Sequence, residues 1–140
     1  MIAVDVGYGQ LAWSLRSDDR VTVLERTNVR HLDASRDELP YLPDLVVADL
    51  SFISLTAVLP ALVTVAAPAA NLVLMVKPQF EVGKERVGSG VVTSADLRRE
   101  AVARVVSAAE AEKVAIFGVA ASPLPGPKGN VEYFLWMGKV

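Results

Sequence analysis

A chain of 140 residues with 52% apolar and 21% charged residues excludes a disordered protein and fits one domain with a real core. A formal net charge of −2 gives no overall sign of nucleic-acid binding. The absence of cysteine excludes disulfides, thiolate chemistry and thiol-based zinc sites and agrees with a cytoplasmic address, and a single histidine, His31, cannot build a multi-histidine metal site, so no metal is expected.

In chain order, "IAVDV" (2–6) is a short strand, and the "GYGQ" turn leads into a helix over about 10–16. "VTVLE" (21–25) is a second strand, and the polar, proline-punctuated stretch 30–43 is a loop with at most a short helix. Arg16, Arg20, Arg26, Arg30 and Arg36 alternate with acids through this region and read as a mixed, solvated surface. "DLVVADL" (44–50) is a third strand, its unbroken apolar run marking burial on both faces. A helix over about 53–66, kinked at Pro60, precedes a fourth strand, "NLVLMVK" (71–77). Residues 50–76 carry no charge and are long enough to span a bilayer. Pro60, Pro68 and Asn71 break that run into a helix, a turn and a strand, which reads as core and implies no stable membrane association.

Residues 78–92, "PQFEVGKERVGSGVV", are glycine-rich and charged and read as a mobile loop suited to cover a substrate. Thr93 and Asp96 form a T-x-x-D capping box, opening a helix that reaches about residue 112. Leu97, Ala101, Val102, Val105, Val106 and Ala109 make its apolar face. "VAIFGVAA" (114–121) and "NVEYFLWM" (130–137) are the last strands, joined by "SPLPGPKGN" as a long antiparallel hairpin. Alternation of this kind predicts an α/β fold, a three-layer sandwich around a mostly parallel sheet, with ligands bound beyond the carboxyl ends of the strands.

Asp5, Asp49 and Lys77 all fall at such ends. Asp5 suits a ribose diol, because a carboxylate accepts from both hydroxyls; it equally suits the cap of the "GYGQ" turn. If the strands of Asp49 and Lys77 are parallel neighbours, about 4.8 Å apart, the two side chains touch, either as a reaction centre or as a structural ion pair. Glu132 shares a strand face with Phe134 and Trp136 and brings a third charge toward the same rim.

The stretches "AVDVGYGQLAWSLRSD", "VVADLSFISL", "MVKPQFEVGK" and "SPLPGPKGNVEYFLW" together resemble the TlyA family, FtsJ-like 2′-O-methyltransferases of ribosomal RNA that also carry a hemolysin label. The resemblance implies a Rossmann-like methyltransferase fold and S-adenosylmethionine as cofactor, with ribosomal RNA or ribosomal subunits as partner and cytidine as the nucleoside. It implies Asp49, Lys77 and Glu132 as members of a Lys-Asp-Lys-Glu tetrad. It also implies Asp5 on the cofactor ribose, Asn28 near the adenine, and Asp49 and Phe52 in the cofactor pocket. In that family a further lysine, a glycine-rich cofactor loop and an S4-type RNA-binding domain precede the "AVDVG" strand. Residues 1–140 therefore read as the C-terminal, partial catalytic domain, with a gap expected between the first two strands and the rest. Lys77 would act as a general base or as a charge that stabilises the developing alkoxide. The absence of a proline-containing D/N-P-P-Y turn after Asp49 favours oxygen over an amine as methyl acceptor. The rival readings are a folded remnant that binds no cofactor and a membrane-acting, hemolysin-like protein.

Overall fold

Alternation of apolar residues sets the core. In the computed structural model, which describes residues 1–36 and 39–140, strand β4 (Asn71–Val76) buries Leu72, Leu74 and Val76 completely and turns Val73 and Met75 to the opposite face. Each such burial stabilises by about 1.5–3 kcal/mol. Asp37 and Glu38, inside the expected 30–43 loop, lie outside the described residues.

β3 (Leu45–Ala48) runs parallel to β4, with Leu45 opposite Asn71 and Ala48 opposite Leu74. β6 (Tyr133–Lys139) lies antiparallel on the other side of β4, pairing Tyr133 with Val76 and Leu135 with Leu74. β5 (Val114–Ala121) completes the order β3-β4-β6-β5 as the expected antiparallel partner of β6. β1 (Ile2–Val4) and β2 (Thr22–Leu24) form a separate parallel pair. The arrangement is thus two sheets, the larger one mixed, rather than one mostly parallel sheet. Between β1 and β3 lies a cleft of about 400 Å³ walled by Ile2, Val4, Leu45 and Val47, at the position of the gap the resemblance implies.

The helices differ from expectation in instructive ways. The first, α1 (Trp13–Arg16), is a single turn. The expected 53–66 helix is a 3-10 turn, Leu55–Ala57, followed by α2 (Leu59–Val65). Pro60 sits in the first turn of α2, where a missing N–H costs nothing, so it starts the helix instead of kinking it. The supposed mobile loop contains a 3-10 turn, Pro78–Phe80, and a short helix, α3 (Lys84–Val87). Its Val82, Val87 and Val92 bury against Ala101 of α4 (Ala95–Ala111). Ser94, not Thr93, caps α4, its Oγ accepting the Leu97 N–H at 3.3 Å. The α4 face that buries Ala101, Val105 and Ala109 is the expected one.

The charge-free 50–76 run is built into this core, and no helix among the described residues is long and apolar enough to cross a membrane. The opposite face of the larger sheet is open, with Val47 71%, Phe117 51% and Trp136 49% exposed. The described residues therefore form two layers there, not three.

Candidate active site

Because β3 and β4 are parallel and in register, their chains leave the sheet side by side. Asp49 follows β3 directly, and Lys77 follows β4. The Lys77 side chain is only 9% exposed, and its Nζ lies 2.6 Å from Asp49 Oδ1 and donates to Ser51 Oγ at 3.2 Å. A buried ammonium must be paired to be tolerated. The Asp49 side chain, 65% exposed, meets this need while keeping one face in water. The pair thus contributes little to stability, since the partly solvated carboxylate screens the attraction.

Glu132 precedes β6, and the pairing of Tyr133 with Val76 puts Glu132 and Lys77 just past the same rung of the ladder. Glu132 is buried, and Gln79 Nε2 donates to its Oε1 at 3.0 Å. No ion pair joins it to Lys77 among the described residues. The carboxylate packs directly on Gly126: a Cβ there would lie 2.3 Å from Glu132 Oε1. Gln79 Oε1 is buried without a partner. Of the three groups expected to converge, Asp49 and Lys77 touch, and Glu132 stands at the adjoining strand end, held by a glutamine the sequence reading did not single out.

A cleft of about 480 Å³ opens beside the pair. Asp5, Asn28, Asp49 and Phe52 all line it, together with Ser51 and Ile53. Asp5 Oδ1 accepts the Gly7 N–H at 2.7 Å, as a turn cap does, and Oδ2 remains open to a ligand. Asn28 Oδ1 accepts the Arg30 N–H at 3.0 Å, capping the 3-10 turn Val29–His31, so its Nδ2 is the end that faces outward chemistry. Phe52 adopts φ of 63°, a strained value for an aromatic residue, and is 90% exposed with its ring 5.1 Å from Phe80.

Two buried polar residues escaped the sequence reading. Glu81, 2% exposed, accepts Ser54 O–H at 2.5 Å and the Leu55 N–H at 2.8 Å. Burial pushes its carboxyl above the ordinary glutamate range, opposed by those two hydrogen bonds and by Arg104. Asn130 Oδ1 accepts the Val92 N–H at 2.9 Å, and its Nδ2 donates to Gly90 O at 2.9 Å, fastening the glycine-rich segment to the β5–β6 connection. A lone acid between Phe80 and Val82 was the available signal for Glu81. Elsewhere, Arg16 pairs with Glu25, Arg20 pairs with Asp18 at 2.7 Å, and Arg26 stacks over Tyr8 at 4.5 Å, in keeping with a mixed surface.

Comparison with known proteins adds the family. The model of FtsJ-like methyltransferases matches residues 1–139. The chain is 59% identical over 138 residues to the "16S/23S rRNA (cytidine-2′-O)-methyltransferase TlyA" of Mycobacterium tuberculosis, covering 98% of the chain and 51% of that protein. It is 43% identical to YqxC of Bacillus subtilis, described as a candidate rRNA methyltransferase, over 98% of the chain and 50% of the relative. A solved structure described as a candidate hemolysin of Streptococcus thermophilus superposes with a TM-score of 0.94 at 37% identity, over 99% of the chain and 50% of that one. The chain spans about half the length of these relatives, and across residues 1–139 it is a member of the FtsJ-like methyltransferase family.

Proposed function

We propose that this chain carries the methyl-transfer centre of an S-adenosylmethionine-dependent enzyme that modifies the ribose 2′-hydroxyl of cytidine in ribosomal RNA, acting in the cytoplasm. The observation that carries the proposal is the buried Lys77 paired with Asp49 at 2.6 Å, on the edge of a cleft lined by Asp5, Asn28 and Phe52. The 59% identity to a protein named as an rRNA cytidine-2′-O-methyltransferase supports the substrate class. The cleft's donor set fits a nucleoside: an acceptor oxygen on Asp5 for ribose hydroxyls, an amide N–H₂ on Asn28 for a base edge, and the Phe52 ring for a flat heterocycle. When bound, S-adenosylmethionine supplies an electrophilic methyl group on a positively charged sulfur.

The chain's own residues orient and stabilise. Lys77 pairs its charge with Asp49 and donates one N–H to Ser51, which leaves donor capacity for the 2′-oxygen as negative charge develops on attack. Asp49 and Ser51 fix the direction of that donor, a positioning role that contributes through geometry. The hydroxyl proton leaves to water at the open mouth, where Asp49 is solvated. Glu132 borders this centre and holds the Gln79 amide.

Lys77→Ala tests the proposal. Removing one transition-state donor is expected to lower methyl incorporation into ribosomal RNA by roughly 10²–10³-fold, while affinity for S-adenosylhomocysteine persists. Asp49 is exposed enough to be rehydrated, so the variant should fold. An unchanged rate of ribose methylation would remove Lys77 from the reaction.

A further inference from the structure

The contact between Asp49 and Lys77 persists only while the loops that follow β3 and β4 keep a fixed spacing. One buried side chain joins those loops. Glu81 ends the turn that begins after Lys77, and both of its donors, Ser54 O–H and Leu55 N–H, belong to the loop that carries Asp49, Ser51 and Phe52. The Ser54 hydroxyl has one proton. With that proton committed to Glu81, Ser54 Oγ is left to accept from the Thr56 N–H at 3.2 Å and from Thr56 Oγ1 at 2.7 Å. On the far side, Arg104 of α4 donates to the backbone carbonyl of Glu81 at 2.9 Å, so the main chain that carries the carboxylate is anchored to the helix layer as well. The ring contact of Phe52 with Phe80 spans the same two loops at the solvent edge.

We infer that Glu81 is a positioning residue: its carboxylate sets the separation of the Asp49 and Lys77 loops and thereby the shape of the cofactor cleft. It touches no reactant, and its effect on catalysis rests on the methyl-transfer reading above. A carboxylate is suited to this because it accepts from two donors at once, and a buried acid with neither would not be tolerated. Glutamine can substitute: its Oε1 takes the Leu55 N–H, its Nε2 donates to Ser54 Oγ, and the Ser54 proton turns to Thr56 Oγ1. Alanine leaves the Leu55 N–H without an acceptor in the core.

Hydrogen exchange on Glu81→Ala and Glu81→Gln provides the test, with S-adenosylhomocysteine titration as a second arm. Glu81→Ala is expected to speed exchange of amides 49–57 by about tenfold while those of β5 and β6 stay protected, and to weaken S-adenosylhomocysteine binding by a similar factor. Glu81→Gln should restore both. Should Glu81→Ala not fold, Ser54→Ala removes one of the two donors and must show the same local pattern in milder form. Unchanged protection of 49–57, a uniform rise across the whole sheet, or a glutamine variant as defective as alanine would overturn the inference. A wild-type protein that binds no S-adenosylhomocysteine would instead refute the methyl-transfer reading, and the exchange arm alone would then decide the role of Glu81.

Discussion

Gly126→Ala probes the candidate site without touching a charged residue. Gly126 has φ of −78° and ψ of −173°, values an alanine adopts freely, so the backbone need not change. The new Cβ would stand 2.3 Å from Glu132 Oε1 and 2.4 Å from its Cδ. Restoring an ordinary van der Waals separation moves the carboxylate by about 1 Å. The 3.0 Å hydrogen bond from Gln79 does not survive such a shift. Losing a hydrogen bond to a buried charged group costs about 1.5–3 kcal/mol, equivalent to roughly 5–10 °C in Tm for a domain of this size. If Glu132 takes part in the reaction, a displacement of about 1 Å lowers the rate by up to roughly 10²-fold. Thermal unfolding and methyl incorporation into ribosomal RNA should be measured on the same preparation. A lowered Tm with an undiminished rate would remove Glu132 from catalysis, and wild-type values of both would refute the steric reasoning itself.

Burial of Glu81 gives a pH signature. Its folded-state value is raised above the ordinary 4.5, so the folded protein binds this proton more tightly than the unfolded chain. The resulting stability is complete below 4.5 and is lost as pH rises through the folded value. The stability of wild type relative to Glu81→Gln in urea should therefore fall as pH rises from 4.5, and a difference that stays flat or grows would refute this. Phe52→Gly should keep or slightly raise stability, by up to about 1 kcal/mol, because glycine accepts φ of 63° and little burial is lost. It should also weaken S-adenosylhomocysteine binding; a loss of stability above about 2 kcal/mol would contradict this strain argument. Leu74→Ala, fully buried opposite Leu135, should cost about 2–5 kcal/mol by urea denaturation, and a loss below about 1 kcal/mol would mean the site collapses around the cavity.

Local pattern carried much of the fold. The unbroken apolar run of "NLVLMV" and the apolar stripe of α4 are properties of neighbouring residues, and the strand and the helix both formed where expected. The errors came from contacts distant in sequence. The chain before α2 takes a 3-10 turn whose Leu55 N–H is bound by Glu81, 26 positions away, a tie no local period reveals. Ser94 and Thr93 have equal capping chemistry, and helix register chose between them. Glycines in 78–92 suggested mobility, but Val82, Val87 and Val92 find a small core of their own, and Asn130 binds the segment from 38 positions away. At the site, the meeting of Asp49 and Lys77 was legible because parallel neighbouring strands leave little alternative. The Gln79 partner of Glu132 depends on the β4–β6 pairing, which separates them by 53 positions.

The cleft draws its walls from unequal stock. Asp5 and Asn28 belong to a pair of three-residue strands and the turns around them, whereas Asp49 and Phe52 follow the broad sheet. A lone two-stranded ribbon is marginal in water. A molecule gripping both walls would work as a keystone, and heat or denaturant would have to dislodge it before the smaller piece could come away.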